Sequence, residues 1–247
     1  MDLKKLLEFN RVIDPVRNST AVETTLENGS YLGNKLCELL DDFYINAKNE
    51  ITSDELYNNF LHALDAKKYN VSNIENDISK LCDIANFYQY KHKDVNNLGV
   101  TGLFISAAIN KAADGRNEIN LRLTAPLSCI LYMSSDKKVN VYGKVGERLG
   151  ESAENCQITA EEVEDYAGIW MNGGTLDVKK AGDYLGASAK NCNITAEEAG
   201  DNAGSWADNI TLDVKKAGKR LGRMSHNTTV ILDGRKKGLL WKILNQF

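Results

Sequence analysis

The sequence predicts an α+β chain of several domains. It would have a helical N-terminal bundle over 1–116, a right-handed parallel β-helix of about six coils of eighteen residues over 117–236, and an amphipathic capping segment over 237–247. Three observations carry this: helical recurrence of apolar residues as far as about residue 114, internal self-similarity at a fixed period after it, and glycine at fixed places of the repeat.

The helical part shows one-sided apolar runs: Leu32, Leu36, Leu39, Leu40 and Phe43; then Leu56, Phe60, Leu61 and Leu64; then Ile74, Ile78, Leu81, Ala85 and Tyr88. Capping-box spacing opens helices at Thr20 with Glu23, Thr52 with Glu55, and Ser72 with Glu75. A last helix, from about Asn96 to Ala113, is apolar nearly all round. Gly99 and Gly102 on it predict close packing in the middle of the bundle. Charge changes at the same boundary: through Glu118 the chain carries 13 Lys and Arg against 18 Asp and Glu, and beyond it 17 against 16.

From 157 the chain falls into eighteen-residue blocks: QITAEEVEDYAGIWMNGG, TLDVKKAGDYLGASAKNC, NITAEEAGDNAGSWADNI and TLDVKKAGKRLGRMSHNT. The first matches the third and the second the fourth, so the duplicated unit is 36 residues, with 20 of 36 positions identical. Residues 139–156 form a divergent copy whose strand residues Val139 and Val141 are displaced by one, and 121–138 reads as a degenerate block. Glycine holds the twelfth place throughout (Gly150, Gly168, Gly186, Gly204, Gly222) and the eighth in all but one block (Gly146, Gly182, Gly200, Gly218, with Glu164 the exception). Such recurrence marks positive φ or close approach of neighbouring coils. The second and fourth places alternate inward as in a strand.

Eighteen residues give about 60 Å of contour, enough for one circuit of a narrow coil and too little for a strand, a crossover helix and a return. Residues eighteen apart would then stack about 4.8 Å from each other. The fifth and sixth places read Glu161-Glu162, Lys179-Lys180, Glu197-Glu198 and Lys215-Lys216, so acidic pairs alternate with basic ones and fix register more than they stabilise. Blocks with Ala at the fourth place and Ala at the eleventh carry Trp170 or Trp206 at the fourteenth. Blocks with Val and Leu there carry Ser188 or Met224. That trade of volumes predicts a fourteenth place pointing into the core. A left-handed hexapeptide helix would put branched aliphatics where Gly200 and Gly218 stand, so a right-handed coil fits better.

The glycine pattern resembles the GXGXG β-helix, which forms the C-terminal domain of the glutamate synthase large subunit and also occurs in formylmethanofuran dehydrogenase, in the subunit lettered C. GKVGERLG (143–150) shows all three glycines, and AGDYLGASAKNCNI and AGDNAGSWADNITLDV are similar to it over about 139–234. The resemblance implies a right-handed parallel β-helix with a structural role, holding catalytic domains or subunits in place. It carries over no catalytic residues.

Net charge −4 argues against nucleic acid, and a longest apolar stretch of twelve residues, Leu98 to Ile109, against a membrane span. Five cysteines without a C-x-x-C pair or a signal peptide predict reduced thiols in a cytoplasmic protein. Cys37 and Cys82 read as small buried hydrophobes. Cys156 and Cys192 lie two coils apart, beyond disulfide reach. His62, His92 and His226 are isolated, and no Gly-Lys-Ser/Thr follows the glycines, so no metal, cofactor or catalytic residues are expected. Two surfaces remain. The helical half would cover the first coil, while GLLWKILNQF (238–247) would cap the other end or dock a partner. Between 219 and 247 seven basic residues (Lys219, Arg220, Arg223, Arg235, Lys236, Lys237, Lys242) face only Asp233. The expectation is a non-catalytic module for protein partners or self-association. Alternatives are an accessory subunit of an oxidoreductase complex like those two enzymes, or a small-ligand binder between the domains.

Overall fold

The computed structural model describes residues 52–66, 99–112, 118–123 and 126–237. The helices expected over 32–43 and 74–88, their caps at Thr20 and Ser72, Cys37, Cys82, His92 and the segment 238–247 lie outside these residues. Among the described residues the helical part consists of two helices, α1 (Ser53–Ala66) and α2 (Val100–Ala112), rather than the bundle expected over 1–116. Eight strands follow: β1 (Ile119–Arg122), β2 (Lys138–Val145), β3 (Glu154–Val163), β4 (Asn172–Ala181), β5 (Asn193–Ala199), β6 (Thr211–Ala217), β7 (Thr229–Leu232) and β8 (Arg235–Lys236).

Helix α1 begins where its capping box lies: Glu55 N donates to Thr52 Oγ1 at 3.3 Å and Thr52 N donates back to Glu55 Oε2 at 3.0 Å. One face, Leu56, Phe60 and Leu64, is buried, and Phe60 meets Phe104 of α2 edge to face at 5.2 Å. Helix α2 is buried from Thr101 to Ile109. Its glycine edge faces the first coil, which corrects the expected packing within a bundle. A Cβ on Gly102 would lie 1.7 Å from Ser128 O, and one on Gly99 would lie 2.7 Å from Cys129 Sγ. The missing side chains let Ser106 Oγ come within 2.9 Å of Cys129 O while accepting from Tyr132 N at 3.1 Å. The helix seats on exposed coil backbone and satisfies its polar groups.

Strands β1 to β7 pair in parallel and in sequence order. Ile119, Val139, Ile158, Leu176, Ile194, Leu212 and Val230 occupy one column, at intervals of 20, 19, 18, 18, 18 and 18 residues, so the chain makes six turns. The displacement of Val139 and Val141 is absorbed by a bulge between Val141 and Lys144. There Gly143 takes φ 94°, and a Cβ would meet Leu123 O at 2.6 Å. After it Val145 returns to the eighteen-residue register with Val163.

The second, fourth and eleventh places are buried in every block from 157 to 228. The fourteenth is not, a correction to the expected core. Trp170, Trp206 and Met224 are 53, 46 and 51 % exposed, and Met133, in the equivalent position of the degenerate block, is 45 % exposed. Backbone sets this. Ser152, Trp170, Ser188, Trp206 and Met224 all have φ of 54–57°, which turns the side chain out while the thirteenth and fifteenth places turn in. Ile169, Ala187 and Ser205 fill the thirteenth, and Met171, Ala189 and Ala207 the fifteenth.

The two glycine columns answer to different constraints. At the twelfth place φ is 63–67° in every coil. At the eighth no positive φ occurs, and the obstacle is the coil below: a Cβ on Gly200 would lie 2.2 Å from Asp183 Oδ1 and 2.7 Å from Gly182 C. The ninth place explains why. Asp165, Asp183 and Asp201 each fold Oδ1 under the next coil to accept from the backbone N of Asp183, Asp201 and Lys219 at 2.8 Å. Ser128 does the same for Glu147 N at 3.2 Å, beneath Gly146. Glu164 is the exception at the eighth place, and its lower neighbour at the ninth is Glu147, a longer side chain than Asp.

The stack ends on a hairpin. Asp233 and Gly234, with φ 52° and 69°, form a two-residue turn that brings β8 back antiparallel to β7. The last edge therefore presents Arg235 and Lys236 rather than a bare strand.

Candidate interaction surfaces

The charge ladder occupies the outer face of β3 to β6. Glu162, Lys180, Glu198 and Lys216 are register partners in succession. Lys179 Nζ lies 3.0 Å from Glu161, Lys215 3.0 Å from Glu197, Lys216 2.9 Å from Glu198, and Lys144 3.7 Å from Glu162. Lys179 holds the Glu161 carboxyl below its ordinary value and Lys216 does so for Glu198, each by a direct hydrogen bond. These side chains are solvated, so they select register and contribute little energy. Beside them Thr195 Oγ1 donates to Asp177 at 2.6 Å and Thr159 Oγ1 to Asn140 at 2.6 Å, so the outer face of the sheet is polar and self-paired.

A second cluster sits where α1 and α2 meet the first coils. Tyr132 donates to Asp54, and Asn110 Nδ2 lies 2.5 Å from Tyr57 Oη and donates to Met133 O at 3.2 Å. Glu151, 5 % exposed, is bridged by Arg148 with both carboxylate oxygens 3.2 Å from Nη1. Burial nonetheless pushes the Glu151 carboxyl upward, because the desolvation cost exceeds what Arg148 returns. Burial also raises Tyr132 and Tyr57. The arrangement fastens the helices to the solenoid. The nearby Cys129 thiol is pushed up to about 12 by burial, and the Cys192 thiol to about 11, which suppresses the thiolate that nucleophilic chemistry needs. Cys129, Cys156 and Cys192 are free and buried. Gly174 occupies the register place between Cys156 and Cys192, where a Cβ would lie 2.0 Å from Cys156 O.

The third surface is one that volume complementarity assigns to the core: Ser152, Trp170, Ser188, Trp206 and Met224 at the fourteenth place of five successive coils, with Met133 in the equivalent position one coil earlier, nineteen residues before Ser152. Trp170 N donates to Ala187 O at 3.1 Å, Ser188 N to Ser205 O at 2.8 Å and Trp206 N to Arg223 O at 2.9 Å, so the column is locked by backbone bonds that leave the side chains free. The signal that could have revealed it lies in the flanking places, where Ala187, Ser205, Ala189 and Ala207 are the small residues a packed interior selects. Tyr166 and Tyr184, stacked at 5.0 Å, with Arg148 5.6 Å from the Tyr166 ring, form a partly buried column at the tenth place.

Of the basic residues near the C-terminus, Lys219, Arg220, Arg235 and Lys236 are exposed on the last coils and Arg223 is half-buried with a buried Nε. His62 and His226 are exposed and apart. Among the described residues no three or more His, Cys, Asp or Glu side chains converge as metal ligands, and no helix is long and apolar enough to cross a membrane. No family model, curated protein or solved structure matches this chain.

Proposed function

We propose that the chain is a non-catalytic interaction or assembly module, a register-locked rod that presents a fixed row of side chains to a protein partner. The carrying observation is the outward column of Met133, Trp170, Trp206 and Met224: large apolar groups held in solvent by backbone geometry that the fold imposes whatever the side chain. Right-handed winding is part of the proposal and rests on the strong preference of parallel crossovers for that hand. The setting is the cytoplasm, in line with three buried free thiols.

The glycine columns favour a second reading, kinship with the GXGXG β-helices and hence an accessory place in an oxidoreductase complex. Positive φ at the twelfth place and close approach at the eighth are the two constraints such a repeat would record. Affinity isolation of the chain from its native source tests both. A stoichiometric protein partner is expected. Co-isolated iron–sulfur or molybdenum subunits would select the second reading, and turnover of a substrate by the purified chain alone would overturn both.

A further inference from the structure

We propose that the Trp170–Trp206 column binds a proline-rich peptide in the polyproline II conformation, laid along the solenoid axis with a basic residue at each end. This rests on the interaction-module reading and names the partner's chemistry.

Four observations converge. First, the two indoles stand at the same place of coils two apart, and the bridges Asn172 with Lys190 and Lys190 with Asp208, two residues further on, keep those coils in register. Two parallel spacings put the side chains about 9.6 Å apart along the axis. One turn of polyproline II, three residues at 3.1 Å, advances about 9.3 Å and presents equivalent proline faces at that interval. Each indole can therefore take one proline of a P-x-x-P segment, the mode by which aromatic surfaces read such peptides. Second, Ser188 stands between them, so the intervening residues of the ligand meet a notch rather than a third bulky group. Third, the column is one residue wide. A stable dimer needs about 800 Å² from each partner, whereas a preordered extended peptide needs only a line of contacts. Fourth, the flanking column carries Glu154 one coil before Trp170 and Asp208 on the coil of Trp206, with Asn172 and Lys190 between them. The carboxylates of Glu154 and Asp208 complement Arg or Lys at the two ends of the peptide, with Lys190 between them facing its uncharged middle and His226 on the coil beyond Asp208.

The 36-residue duplication adds an internal comparison. Between its copies 16 positions differ, yet the indole is kept in both, at φ 56° and 57°, where a bulky residue is disfavoured. The companion coils, in which the same place has Ser188 and Met224, diverged.

The test is fluorescence titration of the full chain, carrying Trp241→Phe so that emission comes from Trp170 and Trp206, with an oligoproline peptide flanked by arginines. Saturable binding with a blue shift of the emission is expected. Trp170→Asn and Trp206→Asn should each weaken binding at least about tenfold, measured by calorimetry. Asparagine suits positive φ, so melting temperature should stay level or rise. Tyr142→Ser, at a 41 % exposed aromatic elsewhere, should leave binding unchanged. Absence of saturable binding by wild type overturns the inference, as does binding that survives both Asn substitutions. Tryptophan-dependent binding of a cello-oligosaccharide in place of the peptide, or a tryptophan-dependent dimer in sedimentation, would overturn it by reassigning the column to those occupants. If the peptide fails while a protein partner still co-isolates, only this inference falls. Substrate turnover by the chain alone would instead remove the reading beneath it.

Discussion

The two glycine columns differ in what they teach. At the twelfth place the requirement is conformational: φ lies at 63–67°, and the nearest obstacle to a Cβ is the end of a side chain, such as Leu176 Cδ2 at 2.6 Å from Gly168. At the eighth place the requirement is spatial and is created by a neighbour, the Asp that tucks its carboxylate under the next coil. A conformational constraint belongs to one residue, whereas a spatial one belongs to a pair.

The sharpest way to break this distinction is Gly200→Ala against Gly168→Ala. The first drives a methyl into the backbone of Gly182 and Asp183 and should cost about 3 kcal/mol in denaturant unfolding. The second should cost about 1–2 kcal/mol, mainly for the left-handed backbone. Equal costs would abolish the distinction. Next, Gly182→Ala should be less damaging in an Asp165→Ala background, because the Cβ would lie 2.2 Å from Asp165 Oδ1. A coupling of about 1 kcal/mol in a double-mutant cycle is expected, and strict additivity would refute the pairing. Ser205 carries a buried hydroxyl without a hydrogen-bond partner, so Ser205→Ala should gain about 1 kcal/mol, read as a higher denaturation midpoint at unchanged slope.

The charged groups give smaller effects of opposite sign. Glu151 has its folded value raised, so its contribution is full below the unfolded value, near 4.5, and is lost as pH rises through the folded one. The melting temperature of wild type should therefore fall relative to Glu151→Gln as pH rises above that point. Glu198 has its folded value lowered by Lys216, so its contribution is present above about 4.5 and disappears as pH falls through the folded value. Glu198→Gln should lower the melting temperature slightly at neutral pH, less so in high salt, and not at all in strong acid.

Much of the solenoid was legible because its constraints repeat. Glu162 opposite Lys180, the buried second and fourth places and the six turns all follow from eighteen-residue periodicity, which every coil restates. The displaced Val139 and Val141 were visible too, though only backbone shows that a bulge at Gly143 absorbs the shift. The fourteenth place was misread because volume complementarity does not report direction. In a run of alternating left- and right-handed residues, side-chain parity depends on φ, and Trp170 at φ 56° points away from where strand alternation would put it. Gly99 and Gly102 were recognised as a close-packing edge, but glycine does not encode its partner, here the Ser128–Cys129 backbone rather than another helix.

Alternating signs on consecutive coils also govern how such a molecule can change in length. Inserting or deleting a single block would set Glu against Glu or Lys against Lys at the seam, whereas adding the duplicated unit whole preserves every pairing. Growth in even steps is thus favoured over growth by single blocks, like a fabric whose pattern repeats every second row, and each such step would carry another indole to the same height above the last.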